Sequence, residues 1–255
     1  MSDIEVKRVG HAQILRFNRP LKKNALTGEM YGALADALIE GDRDERVAAH
    51  CFMGAGGEFT AGNDIGEFIA AVSDDGTTMR NVLRFVSLLP RVEKPMIAGV
   101  EGLAVGVGTT LLFHCDLVYA TANARFQTPF VDLGLVPEAA SSLLMPERLG
   151  YARAFEMLVL GQPMSAERMR EAGLVNAIVA AEELEPTLLK AAGALAAKPP
   201  AAVRAARALM RGDARRISAR IEEEAAIFAR ALRSAEAREA FQAFIEKRAP
   251  DFKKG

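Results

Sequence analysis

Apolar residues in the first half of the chain fall into short runs separated by helix-spaced patterns. Ile14 to Phe17, Ala48 to Met53, Pro95 to Val100, Leu117 to Ala120 and Ala124 to Phe126 read as strands. Between them, Met30, Leu34 and Leu38 mark one face of a helix with Thr27 as its N-cap. Met79, Val82, Leu83 and Val86 mark another, which Pro90 stops. Strand and helix alternate, so the pattern predicts βαβ units and an α/β fold. From Ala139 onward the pattern is almost purely helical, with one strand-like interruption at Leu174 to Val179. Ser165 is placed to cap a helix ending at Gly173, a residue suited to the position just past a helix C-terminus. Lys198-Pro199-Pro200 is the clear boundary, separating a core (residues 1–197) from a C-terminal helical region (residues 198–255). Val203 to Met210, Ile217 to Leu232 and Ala235 to Ile245 form three small amphipathic helices there. They are expected to pack on the core or on another subunit, since alone they bury little.

Two glycine turns stand where a strand gives way to a helix. Phe59-Thr60-Ala61-Gly62-Asn63-Asp64-Ile65 follows one apolar run and opens the helical pattern Ile65, Phe68, Ile69, Val72. Gly102-Leu103-Ala104-Val105-Gly106-Val107-Gly108 follows another and opens Val107, Leu111, Leu112. The first N–H groups of a helix have no intrahelical partner. Two such turns meeting in space would hold one anionic oxygen between two N–H groups, an oxyanion hole.

Composition narrows the setting. With 255 residues, 50% hydrophobic and 25% charged, the chain reads as a soluble globular protein with a large core. A net charge of −1 argues against nucleic acid as a partner, so an anionic ligand must be held by local features. Cys51 and Cys115 lie inside apolar runs without metal-like spacing and read as buried free thiols, in keeping with a reducing compartment. No apolar run is long enough for a membrane span, the start Met1-Ser2-Asp3-Ile4-Glu5 has no leader pattern, and Lys253-Lys254-Gly255 is not a peroxisomal address. The expected location is cytoplasmic, with no membrane and no nucleic acid involved.

Candidate chemistry falls to carboxylates and backbone. His11, His50 and His114 lack a nucleophile or second ligand at useful spacing and read as structural, and no hydrolase, metal-binding or phosphate-loop motif is present. Near the turns lie Asp64, Glu67, Glu101, Asp116, Asp132 and Glu138. Asp64 is placed to cap a helix, and Asp116 to fix a turn. Glu138 precedes small, apolar residues in a loop that feeds a helix. Such a carboxyl is either a partly desolvated base or a first-turn glutamate set against the helix dipole.

Together these pieces resemble the crotonase superfamily, the enoyl-CoA hydratase/isomerase family, from about Val6 to about Phe252. The resemblance rests on Asn18-Arg19-Pro20 with Asn24-Ala25-Leu26, both glycine turns, Cys115-Asp116-Leu117-Val118-Tyr119-Ala120, and Ala124-Arg125-Phe126. It continues through Gly173-Leu174-Val175-Asn176 to Lys247-Arg248-Ala249-Pro250-Asp251-Phe252. It implies a spiral of ββα units followed by a C-terminal helical region that helps cover an acyl pocket. It also implies an acyl-CoA substrate and a homotrimer or dimer of trimers. Hydratases of the family use two glutamates, at positions matching Thr110 and Phe130 here, and both are missing. The stretch Thr128-Pro129-Phe130 to Pro137-Glu138 and Ser141-Ser142 resembles instead the peroxisomal type of Δ3,Δ2-enoyl-CoA isomerase, whose single base matches Glu138.

By that resemblance the N–H groups of Asn63 and Val107 form the oxyanion hole, and Phe130, Leu135 and Val136 wall the acyl pocket. Leu21, Lys22, Lys23, Ala61, Asp64 and Ile65 would bind CoA, which is part of the substrate, and no metal or other cofactor is implied. The expected activity is enoyl-CoA isomerisation in fatty acid degradation. A hydratase or related lyase, or a non-catalytic acyl-CoA-binding protein, is the alternative. Apolar helix faces after Pro200 would be exposed in a monomer. Light scattering at micromolar concentration is therefore expected to report a trimer or a pair of trimers, and a monomer would refute that assembly.

Overall fold

A computed structural model describes residues 2–70 and 76–252. Val72, expected to continue the first helix after a glycine turn, lies outside them. Among the described residues the strands are β1 (Ile4–Val9), β2 (Ala12–Phe17), β3 (Ala49–Gly54), β4 (Met96–Val100), β5 (Leu103–Val105), β6 (Leu117–Ala120), β7 (Arg125–Gln127), β8 (Met164–Ser165) and β9 (Ala177–Ile178). The helices of the first half are α1 (Gly28–Arg43), α2 (Ile65–Ala70), α3 (Thr77–Leu88) and α4 (Val107–Thr110). Those of the second half are α5 (Ser141–Leu149), α6 (Tyr151–Leu158), α7 (Ala166–Glu171), α8 (Ala181–Ala196), α9 (Pro200–Arg211), α10 (Ala214–Ala231) and α11 (Ala235–Glu246).

One sheet has the order β1-β2-β3-β4-β6-β9, and a smaller one the order β5-β7-β8. The β1–β2 hairpin is antiparallel, and each later strand of the large sheet adds in parallel to the one before it. After β4 and after β6 the chain crosses to the small sheet before turning into the next helical stretch, which gives repeating ββα units. Both faces of the large sheet are covered. Leu15, Phe17, Phe52 and Ala98 point into the main core with α1 and α3, whereas Ile14, Cys51, Met53 and Ile97 pack under Leu184, Leu188 and Ala192 of α8. A strand buried on both faces reads as an unbroken apolar run, and this is why β3 and β4 were legible as such.

Three strands carried too little signal. β1 is an edge strand with only Ile4 buried, β5 is three residues between two glycines, and β8 is two residues long. The helical second half therefore contains two short strands, β8 and β9, where a single strand-like interruption was expected. The caps agree with the residues: Thr27 Oγ1 accepts from Met30 N–H at 3.2 Å and Ser165 Oγ from Arg168 N–H at 3.3 Å. Both cysteines are free and buried. His50 is fully buried between Gln13 (2.6 Å) and the Asp42 carboxylate (2.9 Å), a structural role. Ile217 and Ile221 of α10 and Ala237 and Phe241 of α11 join the main core cluster, so the C-terminal helices share the core's interior.

The two glycine turns touch. Thr60 N–H donates to Leu103 O (2.8 Å) and Val105 N–H to Thr60 O (3.0 Å), an isolated parallel bridge that adds Thr60 to the edge of β5. Gly62 takes a φ of +84°, and a Cβ there would meet Val105 O at 2.8 Å. Only glycine meets both demands without strain. Gly62→Ala is expected to destabilise the fold by about 1–3 kcal/mol, read as a lowered Tm. An unchanged Tm would mean that the turns do not meet.

Candidate active site

Hydrogen bonding around each turn uses up the neighbours of one N–H group and leaves that group unused. Leu26 N–H donates to Gly62 O (2.8 Å), Asp64 N–H to Leu26 O (2.9 Å) and Ala61 N–H to Lys23 O (2.9 Å). In the second turn Gly106, with a φ of +56°, donates to Gln127 O at 2.9 Å. The N–H groups of Asn63 and Val107 donate to no group among the described residues, and both residues line one cavity of about 370 Å³. Helix α4 begins at Val107, whose N–H is one of the orphans of a helix start.

Glu138 lines the same cavity. As a residue it is only partly buried, because it borders the cavity, but its carboxyl group is withdrawn from solvent. Burial pushes its pKa up to about 7; Thr110 opposes this by donating a hydrogen bond from its hydroxyl to Oε1, and the Glu224 carboxylate reinforces it. A carboxyl ionising near neutrality beside two unpaired N–H groups can take a proton from a carbon whose negative charge those groups absorb. Of the two readings that the residues alone left open, a helix-dipole partner does not fit: α5 starts only at Ser141, after Ala139 and Ala140.

The wall residues Phe130 and Leu135 line this cavity, whereas Val136 is half-buried and does not. Ala61 and Ile65 line it as well. Asp64 does not: its Oδ1 accepts from Glu67 N–H (3.3 Å) and its Oδ2 pairs with Arg19 at 3.1 Å, so its carboxylate caps α2 and fastens the Arg19 turn. Leu21, Lys22 and Lys23 are exposed on a short 3-10 turn outside the lining. Buried Asn24 anchors that loop, donating to Ala55 O (2.8 Å) and Glu58 O (2.6 Å). Of the candidates named from the sequence, then, the cavity gathers Glu138, Asn63, Val107, Ala61, Ile65, Phe130 and Leu135. Among the described residues no group of three or more His, Cys, Asp or Glu is placed to hold a metal ion.

Sequence reasoning missed several neighbours. Thr110 was given no part beyond standing where a glutamate was absent, yet it hydrogen-bonds Glu138. Tyr31 of α1 is buried and donates to Asn63 Oδ1, and Phe228 and Phe241 close the cavity from α10 and α11. A second cavity, about 70 Å³, runs from Asn63 and Glu138 between Val82 and Val86 of α3 and Ile221 of α10. One signal was available. Ile217, Ile221, Glu224 and Phe228 are spaced as one helix face, so Glu224 interrupts an apolar stripe.

Comparison with known proteins agrees with this architecture. The enoyl-CoA hydratase/isomerase family model matches residues 10–255. Over 239 residues the chain is 35% identical to enoyl-CoA delta isomerase 2 of Rattus norvegicus, covering 92% of this chain and 61% of that protein. It thus spans about three fifths of that relative's length. It is 30% identical to 2,3-dehydroadipyl-CoA hydratase of Escherichia coli (strain K12), over 99% of both chains. The crystal structure of an enoyl-CoA hydratase/isomerase from Pseudoalteromonas atlantica T6c superposes with a TM-score of 0.92 at 40% identity, over 98% of this chain and 100% of that one. The two-sheet ββα arrangement is the crotonase fold.

The raised pKa of Glu138 also has a consequence for stability. Its folded value, about 7, lies above the ordinary 4.5, so the folded state holds this proton more tightly than the unfolded chain. The unfolded state gains as pH rises from about 4.5, and the cost levels off above about 7. Glu138→Gln is therefore expected to raise Tm by a few degrees at pH 8, with the gain shrinking towards pH 5 in thermal melts. A gain independent of pH would place the carboxyl in water.

Proposed function

The chain belongs to the enoyl-CoA hydratase/isomerase family, and within that family we propose that it is an enoyl-CoA isomerase converting 3-enoyl-CoA to 2-trans-enoyl-CoA. The observation that carries this reading is a single desolvated carboxyl, Glu138, sharing one cavity with the free N–H groups of Asn63 and Val107. Where the family's hydratases carry their pair of glutamates, this chain has a threonine and a phenylalanine, Thr110 and Phe130. One base suffices to move a double bond, whereas adding water calls for a second group to orient it.

In this scheme the thioester oxygen lies between the Asn63 and Val107 N–H groups. Glu138 takes a proton from C2, and the C2–H electrons form the C1=C2 bond as the carbonyl π electrons move onto the thioester oxygen, giving a dienolate. As the carbonyl re-forms, the C1=C2 electrons become the C2=C3 bond and the C3=C4 electrons are free to bond hydrogen at C4. Glu138 then returns the proton to C4. Loss of one oxyanion donor costs about a hundred- to a thousandfold in rate in enzymes of this kind. Phe130 and Leu135 on one side and Phe228 and Phe241 on the other keep the cavity apolar, which protects the dienolate from water. No metal or redox group takes part. The CoA moiety is assigned to the Leu21–Lys23 loop and the first glycine turn, whose backbones are joined through Ala61 and Lys23. Fatty acid degradation and a trimeric assembly belong to the same reading.

The likeness to a hydratase over the full chain favours one second reading, in which Glu138 acts on a substrate-bound water. Products separate the two: the isomerase reading yields 2-enoyl-CoA from 3-enoyl-CoA and little 3-hydroxyacyl-CoA from 2-enoyl-CoA. Glu138→Gln keeps size but removes the base, so isomerisation is expected to fall at least about a hundredfold while acyl-CoA binding survives. Full activity in that variant would overturn the assignment and move the base to Asp132 or Glu101.

A further inference from the structure

We propose that Glu224 of α10 is a positioning residue for Glu138, its carboxylate clamping the strained turn that aims the Glu138 carboxyl into the cavity. The proposal rests on the reading of Glu138 as the base. Ala139 and Ala140, the two residues after Glu138, have φ values of +56° and +58°. Residues with a Cβ rarely adopt this conformation, and they hold it only where the surroundings enforce it.

The enforcement is visible. His114 Nε2–H donates to Ala139 O at 2.8 Å, Ala140 N–H donates to Glu224 Oε2 at 2.6 Å, and Ser142 N–H donates to Glu224 Oε1 at 2.9 Å. Each oxygen of one carboxylate thus takes one N–H, on either side of Ser141. Burial holds His114 far below the usual imidazole range, at about 3, so it serves as a neutral donor. Glu224 itself is 4% exposed and sits on the apolar face of α10, where a carboxylate is costly unless its bonds repay the desolvation.

Capping α5, which has no side-chain cap of its own, explains the two hydrogen bonds but not the charge next to Glu138. Burial raises the Glu224 pKa while its hydrogen bonds and Arg220 lower it, and Glu224 in turn raises that of Glu138. The other groups around Glu138 are Thr110 from α4, buried Tyr31 from α1, and Asp132 and Arg248 on the same cavity wall. Arg220 also donates to Ser142 Oγ at 3.1 Å, tying α10 to α5 a second time.

The test combines pH profiles with direct titration. In Glu224→Gln, the acid limb of kcat/KM for 3-enoyl-CoA should move down by about half a pH unit or more. Because the amide cannot accept both N–H groups, kcat should fall about tenfold with KM nearly constant. Glu224→Asp keeps the charge but not the reach, so kcat should fall while the acid limb stays. Independently of turnover, 13C NMR of labelled glutamate carboxyls, with Glu138 assigned by its loss in Glu138→Gln, should show its midpoint falling in Glu224→Gln. If that variant fails to fold, reciprocity supplies the same test: the Glu224 midpoint, assigned with Glu224→Asp, must fall in Glu138→Gln. A lowered Tm with unmoved midpoints and kcat would reduce Glu224 to a helix cap and overturn the proposal. A titration shift without isomerisation would refute the proposed reaction and leave the coupling standing.

Discussion

Everything in the site depends on the pair of hydrogen bonds that join Thr60 to the β5 edge, Thr60 N–H to Leu103 O and Val105 N–H to Thr60 O. They bring two turns forty-odd residues apart in sequence into contact, with Gly62 pressed against the Val105 carbonyl. Neither donor of the proposed oxyanion pair has a function alone, since a single exposed N–H at a helix start is solvated like any other. Held at a fixed separation on two strand ends, they become preorganised dipoles that need not reorient when charge develops. The small sheet fixes those strand ends, since β5 pairs with β7 along the edge opposite Thr60.

The second constraint is electrostatic. The base proposed here must be ionised to accept a proton but desolvated enough to be a strong one, and a pKa of about 7 for Glu138 meets both requirements. Three influences arrive from different parts of the chain: apolar walls from α10, α11 and the Phe130 segment, a hydroxyl from α4, and a carboxylate from α10. In the proposed isomerase reading the C-terminal helices are therefore part of the chemistry. They close the cavity with Phe228 and Phe241 and hold the turn after Glu138 through Glu224.

Much of this was legible in the residues. Parallel strands buried on both faces appear as plain apolar runs, and caps such as Thr27 and Ser165 declare helix starts through their own short side chains. Gly62 and Gly106 marked both turns: Gly62 combines a φ of +84° with a backbone carbonyl 2.8 Å from any Cβ, and Gly106 has a φ of +56°, a conformation that residues with a side chain rarely adopt. Legibility ended where a role depends on contacts far apart in sequence. Thr110 looked like the mere absence of a glutamate, and only folding places its hydroxyl on Glu138. Tyr31 drew no assignment from the sequence; it is buried in the core, and its hydroxyl meets Asn63. Asp64 was assigned both to a cap and to CoA, and its carboxylate is spent on the Glu67 N–H and Arg19. β5 escaped notice because three residues between glycines carry no periodicity.

The central claim is that one carboxyl, shielded from water, carries a proton from C2 to C4 beneath a backbone oxyanion hole. The most direct measurement is the fate of that proton. With 3-enoyl-CoA deuterated at C2 and turned over in ordinary water, single-turnover product should retain a substantial fraction of the label at C4, because the shielded acid of Glu138 exchanges slowly compared with its return to carbon. Product carrying only solvent hydrogen at C4, together with 3-hydroxyacyl-CoA formed at a comparable rate, would contradict the account.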